Sequence, residues 1–321
     1  MKQNLKKISF ILILILILGT VLSLGANWWI NAKLPKIISD NNQTPYLIKY
    51  KNIDVSLLAR TIEATDITVI PKEREKDSLR KNGIFASVQK VSISNYSILS
   101  LLFQNKIEAH SITFFKPKIT LFKDNDQNIK SSKGISSRIV APFQQIISVA
   151  NLDLEQGTFY VINLTNNKIL FQAKNVKIQL NDIAISEETL NKKIPLNYKS
   201  YAFSCDSLSY LTNSKYKIEA QQIVTTNIGV DIKKFSMLSE LNRKQFVNQL
   251  PLEKDLYNLK SDKISIKNMS WGFKEEVLFF STDHIVIDKV DANIYRSKVP
   301  ADDKSVKPLY NKLLRELKFD M

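Results

Sequence analysis

The sequence predicts a mainly β protein: an N-terminal transmembrane helix, then an elongated, curved antiparallel β-meander with short amphipathic helices between repeat units. Three observations lead there. Gly and Pro are scarce, at 7 and 9 among 321 residues of which 44% are apolar, so long strands are favoured over a loop-rich scaffold. An uncharged apolar run opens the chain, and a short motif with strand-like alternation recurs downstream.

The opening run, Ile8 to Leu24, is 17 residues without a charge. As a helix it reaches about 25 Å, close to the hydrocarbon thickness of a bilayer. Lys2, Lys6, Lys7 and the terminal amine precede it, which places the N-terminus in the cytoplasm and the rest of the chain outside. Residues 1–30 are therefore expected to be a cytoplasmic stub and signal-anchor in the inner membrane, with Trp28 and Trp29 at the outer interface. Small residues at Ser23-Leu24-Gly25 leave a cleaved signal peptide as the alternative.

Residues 31–321 are expected to form one extracytoplasmic, periplasm-facing β domain. Within it a pattern of apolar, any, small, two polar and apolar residues occurs five times. The copies start at Ile62, Ile107, Phe171, Ile218 and Phe280, and Ile62 to Phe171 and Phe171 to Phe280 are each 109 residues. Pro142 and Pro251, which open apolar stretches, are also 109 apart, and Pro308 begins Leu309 to Leu317 with helical spacing. Units of about 109 residues are expected, with the last expected to be cut short at the C-terminus.

Each copy switches phase. Ile62 and Ala64 share one parity, Ile67 and Val69 the other, so strict alternation would put them on opposite faces. A β-bulge at the polar pair restores a common face and bends the strand. A tight hairpin is disfavoured because the five polar pairs contain no Gly. Bends of one sign curve the sheet into a trough, with Ile62, Ile67, Ile107, Ile112, Phe171, Val176, Ile218 and Ile223 facing its interior.

Chemistry-bearing residues are few. His110 and His284 sit inside polar pairs of the repeat and read as exposed strand residues; no spacing suits a metal, and no cofactor motif or nucleophile elbow is present. Cys205 is the only cysteine and reads as a small buried hydrophobe. No catalytic residue, metal or cofactor is expected, and the chain is not expected to be an enzyme. The net charge of +15 rests on 46 Lys and Arg, seven of them Arg, with Lys alternating along strands as in Lys116-Pro117-Lys118-Ile119. That is a solvated strand face, which argues against nucleic acid and suits anionic headgroups beside a membrane.

Asn31-Ala32-Lys33-Leu34-Pro35 after the anchor, Tyr50-Lys51-Asn52-Ile53-Asp54-Val55-Ser56-Leu57 in the first strand, and the Ile-Glu-Ala units together resemble the AsmA-like superfamily. The resemblance spans nearly the whole chain. It implies a bent sheet with an open apolar groove, membrane lipids and envelope proteins as partners, and a role in envelope lipid homeostasis or transport. The alternative is a structural or scaffolding envelope protein whose apolar faces pack into a closed core.

Overall fold

The computed structural model describes residues 46–72, 83–100, 107–123, 147–184, 196–212, 216–274 and 277–302, with a few single residues elsewhere. Of the anchor region only Gly25, Trp28, Trp29 and Ala32 are described, all helical; the run Ile8 to Leu24 lies outside the described residues. Among the described residues no helix is long and apolar enough to cross a membrane.

The strands are β1 Tyr46–Lys49, β2 Asn52–Ser56, β3 Thr61–Pro71, β4 Gly83–Ser94, β5 Ile107–Lys123, β6 Ile147–Asn163, β7 Ile169–Asn181 and β8 Ser200–Leu211. They continue as β9 Tyr216–Thr226, β10 Gly229–Ser239, β11 Asp255–Lys267, β12 Ser270–Lys274, β13 Val277–Ser281, β14 His284–Asp288 and β15 Asp291–Arg296. All but β12 and β13 belong to one sheet of 13 strands, built almost wholly from sequence neighbours. β1 and β2 hold one register against β3, as do β14 and β15 against β11, so each pair is one edge strand interrupted in the middle.

Two expectations are corrected. The meander is not antiparallel throughout: β5 and β6 run parallel, from Ile107↔Ile147 to Lys123↔Asn163. A parallel return needs a crossover of roughly a dozen or more residues, and the connection 124–146 is long enough to supply one. The helix near Pro251 precedes that proline: α1 is Arg243–Val247, opened by a capping box between Asn242 and Gln245, while the residues after Pro251 enter β11. The segments around Pro142 and Pro308 lie outside the described residues.

The phase switch falls at the expected polar pair in three of the five copies; in the second copy the left-handed residue is Lys116, five residues beyond His110-Ser111, and the fifth copy is divided between β13 and β14. Asp66, Asn175 and Gln222, the second polar residues of three repeat copies, have φ of 52°, 48° and 48° inside β3, β7 and β9. Lys116, Gln156 and Lys234 do the same in β5, β6 and β10, at 49°, 54° and 49°. Lys289, at 49°, separates β14 from β15. The ladders set these residues in one row with Lys51, Gln89, Asp206 and Asp262, whose backbones are not left-handed. Asp66 lies opposite Gln89, Gln89 opposite Lys116, and Lys116 beside Gln156. Asn175 follows, then Asp206, Gln222, Lys234, Asp262 and Lys289, with Lys51 opposite Asp66 at the first edge.

One crease thus crosses every strand of the sheet. Because neighbours bend together, most ladders need no extra residue, and the register shifts only at β6–β7 and β9–β10. Those are the antiparallel pairs in which both strands carry a left-handed residue. The expected bulge is therefore a crease shared between strands in most of the ladder.

Magnitudes explain why the crease persists. A left-handed residue other than Gly costs about 1–2 kcal/mol. Without the flip at Asn175, Val176, Ile178 and Leu180 would stand on the polar face beside Gln172 and Lys174, and Lys177 and Gln179 would enter the apolar face; Val176 is buried and Ile178 and Leu180 partly so, and fully burying one such side chain is worth about 1.5–3 kcal/mol. Together these gains outweigh one penalty. At Gln156, whose backbone is left-handed, Gln156→Val should lower unfolding free energy in urea by about 1–2 kcal/mol, and Gln156→Asn should stay near wild type.

Candidate functional site

The crease sorts the side chains into two faces. On one, Ile62↔Ile93↔Ile112 and Ile67↔Val88 are in register, and Phe171↔Tyr210↔Ile218 and Cys205↔Ile223 continue that face. The other face carries Thr, Ser, Gln, Asp and Lys, such as Gln172↔Ser209↔Glu219.

The sheet folds toward its apolar face. No second layer covers the crease among the described residues, yet Val176 is 1% exposed and Cys205 2%. They cluster with Leu154, Ala173, Ala220 and Ile223, taken from both sides of the crease, which can touch only if that face is concave. Gly157 sits in the fold itself, where an added Cβ would lie 2.6 Å from Leu154 and 3.4 Å from Pro117. On the convex side the crease residues pair along the row. Asn175 Nδ2 donates to Asp206 Oδ2 at 2.8 Å, and Asp262 takes Lys234 at 2.8 Å and Lys289 at 3.1 Å.

The lower half of the trough, toward Ile62 and Ile112, is partly closed. Tyr96, just beyond β4, is fully buried against Val55, Ile62, Ile93 and Ile112. Its carbonyl accepts from Arg60 Nη2 at 3.0 Å, and burial pushes its phenol up while Arg60 draws it down. Farther along, the hairpin of β12 and β13 leaves β11 and reaches β8: Trp271 Nε1 donates to Tyr201 Oη at 2.9 Å, and the two rings meet edge to face. The upper half keeps Val69, Ile119, Phe159, Phe171, Leu208, Ile218 and Met237 partly exposed on one apolar wall.

Ile62, Ile67, Ile112, Val176 and Ile223 are buried at or below the crease, whereas Phe171 and Ile218 stand on the partly exposed upper wall. Ile107 pairs with Ile147 at the start of β5. Trp28 and Trp29 are 75% and 42% exposed. The residues that sequence reasoning missed are the other crease positions, and the same parity test finds them: Ile112 and Phe114 against Pro117 and Ile119 in β5, or Ile232 against Phe235 in β10.

Titratable groups form no catalytic arrangement among the described residues, where no cluster of three His, Cys, Asp or Glu could hold a metal. His110 Nε2 lies 3.1 Å from Asn151 Nδ2, and His284 is exposed in β14. The Cys205 thiol is pushed up, chiefly by burial. Asp262 is held below the usual carboxylate range by its hydrogen bonds to Lys234 and Lys289, so whatever it adds to stability is present at neutral pH and fades as acid protonates it. A depression of about 370 Å³, open to solvent, is lined by Asp153, Glu155 and Lys177 together with Leu154, Ile178 and Phe203.

No protein-family model matches the chain, and no curated protein matches it either. The fold and site define a class by shape: one creased sheet, polar outside and apolar within.

The two halves should respond differently to charge. Ile112→Asp, in the closed cluster, should destabilise the fold by about 3 kcal/mol or more; Ile218→Asp on the open wall should leave the thermal melt within a few degrees of wild type. Cys205 should resist a maleimide in the native chain and react after denaturation.

Proposed function

We propose that this chain is a membrane-anchored, extracytoplasmic trough that holds lipid acyl chains, in the manner of the AsmA-like proteins it resembles. In this reading residues 1–30 tether it to the inner membrane, with the N-terminus cytoplasmic and the β domain outside, and the trough serves envelope lipid homeostasis or transport. One observation carries the reading: a single apolar face continues across a 13-stranded sheet with its upper wall left partly exposed among the described residues. An apolar surface of that extent calls for an oily occupant or a covering partner. The side chains of Phe159, Phe171, Leu208 and Ile218 on that wall are hydrocarbon, which suits acyl chains better than headgroups.

The scaffold reading draws on a different observation, the fully buried Tyr96 and its cluster, which resemble an ordinary closed core. One experiment separates the two. A photo-crosslinking amino acid is placed at Phe171 or Ile218 in the trough, and at Gln172 or Glu219 on the polar face, in the full chain in cells. Lipid adducts at the first two positions and none at the others are expected; trough positions that capture no lipid favour the scaffold.

A further inference from the structure

The two long edges of the sheet are finished differently. At the β1–β2 edge Val55 is 1% exposed, covered by the segment around Tyr96. At the β14–β15 edge the same apolar face ends bare, with Ile285, Ile287, Val290 and Ile294 between 50% and 59% exposed. No described strand pairs with the outer side of β14 and β15. The stretch from Ile285 to Asn293 contains neither Pro nor Gly, and Lys289 is its only basic residue. Such an edge is an open template for strand pairing.

We infer that a second copy of this chain pairs antiparallel along β14–β15, joining two troughs into one continuous apolar channel about a twofold axis. The sheet already shows how two antiparallel strands fit when each carries a left-handed crease residue. In β9–β10, where these residues are Gln222 and Lys234, Asp231 pairs with Val224 and Ser236 with Glu219. Lys233 Nζ then donates to Gln222 Oε1 at 2.9 Å across the crease.

Laid on two copies of β14–β15, whose crease residue is Lys289, the same register pairs Ile287 with Val290 and Ile285 with Ala292. Apolar side chains then meet apolar ones, and the concave face runs on without a step. Asp288 of each copy falls opposite Lys289 of the other, in the place of the Lys233–Gln222 contact, so the polar crease continues as two reciprocal ion pairs. Asp291 falls opposite Val286, so no like charges face each other. An isologous contact requires a surface to complement itself, and this edge does so in hydrophobicity, backbone bend and charge.

The inference goes beyond the lipid reading and does not need it, since an empty trough could still pair. It is tested on the full chain in detergent micelles, with the protein mass separated from the detergent by light scattering, absorbance and refractive index. Twice 36.8 kDa is expected for wild type. Asp288→Lys should raise the dissociation constant by about tenfold or more, and Asp288→Lys/Lys289→Asp should bring the double mass back. Val290→Arg, which keeps the Lys289–Asp262 contact, should also give the single mass should the double variant fold poorly. A wild type of single mass overturns the inference, and so does a double mass that survives both Asp288→Lys and Val290→Arg.

Discussion

Side-chain parity is the constraint on which the rest of this fold depends. A strand alternates faces by geometry, so an apolar set split between odd and even positions cannot share a face unless the backbone turns over once. Here it turns over at a left-handed residue in β3, β5, β6, β7, β9 and β10, and at Lys289 between β14 and β15. Because the turns are aligned across the ladders, they add up to a single fold line. A lone turn would break its ladder; aligned turns keep the hydrogen bonds and bend the sheet.

The crease does two further things. It brings both walls of the apolar face within contact, so Leu154, Ala173, Val176 and Ile223 pack on each other with no helix layer above them among the described residues. It also exposes a polar row on the convex side, where Asn175, Asp206, Lys234, Asp262 and Lys289 pair laterally at an energy that solvent keeps small. Stability therefore comes from the fold line inward, and the upper wall contributes less. That division leaves the upper wall available for a ligand while the Tyr96 cluster below it behaves as a core.

Much of this was legible in the sequence, for identifiable reasons. The parity break at Thr65-Asp66, Lys174-Asn175 and Gln221-Gln222 is visible because small residues at Ala64, Ala173 and Ala220 make the motif repeat. At Lys116-Pro117 and Gln156-Gly157 the same break is present without that motif, so a search by motif passes over it. Alternation says nothing of strand direction, and the parallel β5–β6 pair left only the length of segment 124–146 as a trace. The reach of the β12–β13 hairpin to β8 depends on one long-range contact, Trp271 to Tyr201, which no local pattern encodes. The edge that no described strand covers at β14–β15 depends on what does not pair with it, and that is a property of the assembled sheet.

Spin labels scanned singly through β7, from position 170 to 180, test the central claim most directly, by comparing collisions with oxygen and with a water-soluble relaxation agent. The account predicts low water access at 171 and 173, a break at 174–175, and low access again at 176, 178 and 180. A period of two that runs unbroken from 171 through 179 would show that the strand does not turn over at Asn175, and the shared apolar face would be lost with it.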